Sequence, residues 1–387
     1  VHAVSARGYE SFVGKPYFQI YSDVDSFTRG LITIKDYLSS KSNTEEEIVN
    51  DYYTTFSYES GLQRMTTIIK LLTMDISIVI PVYNAENYLQ DTLTSLEEQT
   101  DRDFKVIIIN DGSTDKSDAI IHQFIRRGKI NISYYEQSNQ GVSSARNKAL
   151  LLADTKFIMF CDADDKYHPK MVETMHKMML CEADVAVCGV AHKESELYTN
   201  YSATITQLSI SKLMHLFLYK NNQFNFPCFC YKTEIIHNYK LVFSLDLKYG
   251  EDEEFTWKYL LHCNNANMTK EKLYYYRDNQ VSATKNITMA RTQVIDSMIR
   301  VVGYYKERNS PFAKELESYG LPRTKLAILT EFAKNNRLDL FQKLSSTETY
   351  NYKIIHSAAS PDPKIKIAAF VYSLSPTLFY NLVKTIL

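Results

Sequence analysis

The sequence predicts an α/β protein: a mostly parallel sheet flanked by helices, with a helical C-terminal region. Three features predict it. From Asp75, short β-branched runs alternate with amphipathic segments, the signature of βαβ units with right-handed crossovers. Three polar clusters, "PVYN" (81–84), "NDGSTD" (110–115) and "CDADD" (161–165), each follow directly on an apolar run. Beyond residue 288 most segments keep helical periodicity, broken at Pro311, Pro322 and the pair Pro361/Pro363.

Each element has its own signal. "DISIVIPVYN" is a buried strand closed by Pro81 and Asn84. "AENYLQDTLTSLEEQ" places Leu89, Leu93 and Leu96 at helical spacing. "FKVIIIN" is a second buried strand. "STDKSDAIIHQFIRR" is a helix with Ser113 or Thr114 available as cap and Ile120, Ile121 and Phe124 on one face. "NISYYEQ" reads as a short strand and "VSSARNKALLLA" as a helix. "KFIMFCD" is a strand, "HPKMVETMHKMM" a helix with Pro169 in its first turn, and "ADVAVCG" a strand. "SISKLMHLFLY" has helical spacing, whereas "FNFPCFCY" reads as aromatic and irregular. A helix starts after Gly250 in "KYGEDEEFTWKYLLHC", and "EKLYYYRDNQVSAT" is a strand entering a polar loop.

The chain has 387 residues, 45% hydrophobic, enough for two or three domains with real cores. With a net charge of -1 there is no global basic field to draw it to nucleic acid. Its six cysteines form no CxxC pair and lie mostly in apolar segments, as expected of reduced core residues in a cytosolic protein. The start, "VHAVSARGYESF", lacks both the apolar core of a signal peptide and a Met, as a fragment or a processed chain would. Residues 1–74 are expected to be an accessory segment of unassigned role. No HExxH or GxSxG occurs, so metalloprotease and serine-hydrolase chemistries lack their parts.

In an open parallel sheet, ligands bind beyond the carboxyl ends of the strands. The three polar clusters fall at such ends, so the fold is expected to gather them into one pocket. Asp162, Asp164 and Asp165 repel one another unless a cation sits among them. Hard divalent cations choose such carboxylate oxygens. The plainer reading of each motif is local: Asp164 or Asp165 capping a helix, Gly112 and Ser113 making a turn, Arg146 on the surface, and four acids suiting a helix N-terminus.

Taken in order, "SIVIPVYNAENYLQDTLTSLEEQT", "IINDGSTDKS", "NQGVSSARNKAL", "FIMFCDADD" and "YGEDEEF" resemble the motifs of family 2 glycosyltransferases over residues 75 to 285. That resemblance implies the Rossmann-like GT-A fold and an inverting transfer of sugar from a nucleotide diphosphate sugar, in building bacterial surface polysaccharide such as capsule, lipopolysaccharide or teichoic polymer. It implies a catalytic domain over 75–285 and a helical region over 286–387. Asp162-Ala163-Asp164 resembles the DxD motif, implying Asp164 as main ligand of Mn²⁺ or Mg²⁺, with Asp162 facing the ribose or the metal. The match to Asp111 implies a hydrogen bond to uracil, with Tyr83 stacking on the base and Pro81 and Asn84 shaping the pocket floor. A UDP-sugar is the implied donor. Arg146 is expected to reach the diphosphate or the sugar, and Arg277 with Ser282 to clamp the leaving diphosphate. A second Arg that the family often carries near Arg277 is missing. Glu251-Asp252 matches the ED motif, implying Asp252 as base and Glu251 as its support.

Trp257, one helical turn beyond that pair, is an acceptor platform or a core residue. The implied acceptor is a hydroxyl of a glycan or lipid-linked glycan. "PKIKIAAFVYSLSPTLFYNLVKTIL" is apolar with interspersed lysines, too broken to span a bilayer, and is expected to lie at the inner face of the membrane or to pack on the catalytic domain. Two other readings stand against this one. A catalytically silent nucleotide- or carbohydrate-binding protein needs no base, yet Asp252 is present. A nucleotidyltransferase should carry a Gly-rich stretch after its first strand, which "PVYNAEN" lacks.

Overall fold

A computed structural model describes residues 74–198, 201–202, 204–219, 224–279, 287–347 and 363–386. The chain divides into two compact units, Val1–Asp75 and Ile76–Leu387; the expected accessory segment falls almost wholly outside the described residues. The second unit is built on one nine-stranded sheet with strand order β3-β2-β1-β4-β8-β6-β9-β5 and β7 beside β9.

The first half follows the alternation read from the sequence. Strands β1 (Ile76–Val82), β2 (Phe104–Asn110), β3 (Asn131–Glu136) and β4 (Phe157–Phe160) are mutually parallel, with Ile76 opposite Phe104 on one side and Phe157 on the other. Helices α1 (Leu89–Glu97), α2 (Ser117–Arg127), α3 (Val142–Leu152) and α4 (Met171–Leu180) are the crossovers. β1 is almost entirely buried, as a strand covered on both faces must be.

The second half is mixed. β6 (Val185–Ala191) does not pair with β4, because β8 (Phe229–Lys232) is wedged between them, antiparallel to both. β8 is the end of "FNFPCFCY", the stretch that reads as irregular. Pro227 sits in a 3₁₀ turn just before the strand, where a missing N–H costs nothing, and the aromatic run then enters the sheet. β9 (Asn265–Tyr275) is parallel to β6 and antiparallel to the short strands β5 (Lys166–Tyr167) and β7 (Thr206–Ser209). Two reversals restore direction, so β1, β2, β3, β4, β6 and β9 all run the same way. Their carboxyl ends share one edge.

Helices α5 (Ile210–Leu218) and α6 (Thr233–Asn238) are short, and α7 (Glu251–Leu260) starts at Gly250. Gly250 has φ 86°, and a Cβ there would come within 3.0 Å of Ser297 and 3.1 Å of the Val294 backbone. Glycine alone permits both this left-handed turn and the close approach of α8 (Gln293–Glu307). The break expected at Pro322 is instead a π-helical turn, Leu316–Gly320, which carries the chain into α9 (Leu321–Lys334) with Pro322 in its first turn. Such a turn absorbs the missing proline N–H without ending the helical run. α10 (Leu338–Ser345), α11 (Pro363–Leu374) and α12 (Pro376–Ile386) complete the unit. Among the described residues no helix is long and apolar enough to cross a membrane. All six cysteines are free, five of them buried and Cys181 exposed.

Candidate active site

Three walls meet at the shared strand edge. The first is the end of β1 and β2. The Tyr83 ring is 53% exposed. Asn84 takes a left-handed φ of 48° and locks this wall by accepting from Thr114 N at 2.8 Å while its own N–H donates to Ser113 Oγ at 3.1 Å. Pro81 is half-buried one strand position from the edge. Asp111 is buried, and its carboxylate accepts from Gln137 Nε2 (2.8 Å), Gln140 N (2.9 Å) and Gly141 N (2.8 Å). Of roughly four lone-pair sites on a carboxylate, these three leave about one for a ligand. Gly112 beside it has φ 74°, and a Cβ there would lie 2.9 Å from Asn139 N.

The second wall is the aspartate cluster after β4, and the cations it requires are two arginines. Arg146 Nη2 donates to Asp162 at 3.0 Å. Arg277 bonds Asp165 through its backbone N at 2.8 Å and the Asp164 carbonyl through Nε at 2.8 Å. Its Nη2 reaches Asp91 at 3.1 Å, and its guanidinium lies 5.1 Å from the centre of the Tyr88 ring. Asp165 is buried and also accepts from Tyr274 Oη at 2.5 Å. Burial, then Asp162 and Asp164, push its carboxyl well above the usual range. Asp164 is raised for the same two reasons, burial and Asp162, and accepts from Asn279 Nδ2 at 3.2 Å. Asn279 in turn accepts from Tyr88 Oη at 3.2 Å.

The third wall is the N-terminus of α7. Arg146, buried within α3, turns its Nη1 to Glu251 at 3.1 Å and stacks 4.9 Å from the Phe226 ring centre. One guanidinium thus joins the aspartate wall to the acidic helix. Burial pushes the Glu251 carboxyl up to about 7, with neighbouring Asp252 adding to the rise and Arg146 opposing it. The acids of "EDEE" divide by their partners: Glu254 bonds Ser244 and Lys258, Glu251 bonds Arg146, and half-buried Asp252 accepts, among the described residues, a local bond from Glu253 N at 2.7 Å.

Several expectations are altered by this geometry. Trp257 is 1% exposed, its ring centre 4.9 Å from that of Phe217, so it is a core residue and offers no face to an acceptor. Arg146, which the plainer reading put on the surface, is a buried bridge between Asp162 and Glu251. Arg277 braces the aspartate turn. Ser282 lies outside the described residues. Sequence reasoning did not assign Tyr88, Asp91, Tyr274 or Asn279. The available signal was weak: Tyr88 precedes α1 and Asp91 lies in its first turn, and Asn279 follows Arg277 by two positions.

Asp164 suits a divalent cation by its donor chemistry: a hard, half-buried carboxylate in a surplus of negative charge, with one described side-chain partner. Asp162 suits less, since one of its oxygens is held by Arg146.

Residues 77–239 match the family model described as glycosyl transferase family 2. EpsH of Bacillus subtilis, itself assigned only provisionally as a glycosyltransferase, is 26% identical over 285 residues, covering 70% of this chain and 81% of EpsH. The poly(ribitol-phosphate) β-N-acetylglucosaminyltransferase TarS of Staphylococcus aureus is 26% identical over 212 residues, which is 52% of this chain and only 35% of TarS. The crystal structure of S. aureus TarS 1–349 in complex with UDP-GlcNAc superposes with a TM-score of 0.61 at 18% identity, covering 81% of this chain and 91% of that one. Over residues 77–239 the chain resembles family 2 glycosyltransferases, and its fold is GT-A. Its relatives also include the minor teichoic acid biosynthesis protein GgaB of Bacillus subtilis, 28% identical over 218 residues, which is 54% of this chain and 23% of GgaB.

Proposed function

We propose that this chain transfers a hexosyl or N-acetylhexosaminyl group, with inversion, from a UDP-sugar to a hydroxyl of a glycan or lipid-linked glycan in bacterial surface-polymer synthesis. One observation carries the reading: Arg146 joins Asp162 to Glu251 across distant sequence, while Asp111 holds the N-terminal end of the helix that carries Arg146. Binding at TarS of UDP-GlcNAc on the same fold supports a uridine donor.

Tyr83 supplies a stacking face for the base, and the remaining acceptor site of Asp111 takes the uracil N–H. Asp164, with Asp162 beside it, would hold Mn²⁺ or Mg²⁺. Such an ion supplies Lewis-acid stabilisation of the departing diphosphate. The acceptor hydroxyl attacks the anomeric carbon opposite the leaving group and gives its proton to Asp252. A new carbon–oxygen bond forms as the old one breaks, and UDP leaves with the bonding pair. Glu251, itself held by Arg146, is the neighbouring acid that supports Asp252. We place the reaction on the cytoplasmic side, at the inner face of the membrane where a lipid-linked acceptor resides.

The test is a panel of UDP-sugars assayed for metal-dependent UDP release, with and without glycan acceptors. Turnover with one donor supports the reading. UDP binding without turnover across the panel would leave a nucleotide-binding protein on the same fold.

A further inference from the structure

The outward face of the C-terminal helix pair has no use in the transfer reaction. Inwardly, Tyr372, Phe379 and Tyr380 pack around Phe341 of α10, with ring centres 5.0 to 6.4 Å away. Those contacts fix the pair to the unit. Outwardly, α11 exposes Ile367, Phe370 and Leu374, and α12 exposes Leu378 and Leu382. Spacings of three and four residues align these side chains as one stripe on each helix. A helix apolar on both its inner and outer sides is expected to be covered on both.

Charge decides what covers it. Residues 363–386 carry Lys364, Lys366 and Lys384 and no Asp or Glu, in a chain whose net charge is only -1. A second copy docking the same face would bring lysines against lysines. An anionic lipid surface satisfies both features: acyl chains take the apolar stripe and headgroups take the ammonium groups.

We propose that the α11–α12 pair docks this protein on anionic lipid bilayers by partial insertion of Ile367, Leu374, Leu378 and Leu382. The inference rests on this face alone and stands independently of the donor and acceptor assigned above.

The experiment uses the full chain and vesicles of phosphatidylcholine with or without phosphatidylglycerol, scored by co-sedimentation. Binding is expected to the anionic vesicles, at least about tenfold stronger than to the neutral ones, and to weaken as salt rises. Lys384→Gln should weaken it about fivefold, the loss expected per lysine near an anionic surface. Ile367→Asp with Leu382→Asp should abolish it while leaving UDP-sugar turnover in solution unchanged. Both sites are exposed, so a retained Tm checks that the variants fold. Equal binding to both vesicle types, no binding to either, or a concentration-dependent dimer abolished by the same two substitutions would overturn the proposal. UDP-sugar turnover is read separately, so failure on vesicles and failure of the transferase reading remain distinct.

Discussion

Asp164 carries the sharpest single-residue expectation. Its carboxyl is raised by burial and by Asp162, so the protein pays in repulsion for keeping it charged. Asp164→Asn preserves volume and removes one repelling charge. Tm should hold or rise slightly, while metal-dependent UDP release falls by two or more orders of magnitude, the size of a several-kcal/mol electrostatic contribution. Asp252→Asn should leave UDP affinity by calorimetry unchanged and lower transfer by ~10²–10⁴, the range for a lost general base. Unimpaired transfer by this variant would pass the role to a neighbouring acid. Glu251 sets a pH signature. It keeps its proton in the native state up to about 7 and loses it in the unfolded chain near the ordinary glutamate value of about 4.5. Between those values the native state binds more protons, so this residue's contribution makes stability fall as pH rises through that window. In Glu251→Gln, denaturant midpoints measured from acid to neutral pH should lose that component of the slope.

At the scale of elements, the loops do the positioning. Gly112→Ala must adopt a left-handed conformation that costs an L-residue ~1–2 kcal/mol, and its Cβ would press on the Asn139 backbone, 2.9 Å away. Lower stability and weaker UDP binding should appear together, because the displaced loop contains Gln140 and Gly141, which hold Asp111. The first-half strands and helices were legible in the sequence because buried parallel strands read as unbroken β-branched runs, and "SIVIPV" and "FKVIIIN" are such runs. β8 was not legible, since its pairing to β4 and β6 depends on partners far away in sequence and its own four residues carry little periodicity. The carboxylates of the site were visible as motifs, but their partners were not. That Arg146 is a buried bridge follows from α3 packing beside Phe226 and Phe243, which no local pattern encodes. Trp257 illustrates the converse: five residues beyond Asp252 it points to a different side of the helix, which is the side that faces the core.

At the scale of the whole unit, the wedged strand has a consequence for how the protein is made. A ribosome delivers β4 long before β8, and the sheet between β4 and β6 stays open until Lys232 has emerged. At roughly 5–20 residues per second, the edge of β4 waits on the order of ten seconds with its hydrogen-bonding groups unpaired. Closure extends further still, because β5 at Lys166–Tyr167 finds its partner only at Tyr274 and Tyr275. Polypeptides released after β6 but before β8 should therefore aggregate, through an apolar edge that the finished protein never shows. Chains stopped just beyond Arg277 should be the shortest to stay in solution, a threshold that a ladder of stalled nascent chains and a sedimentation assay would locate. The price of assembling one pocket from distant segments is a long interval of vulnerability during synthesis.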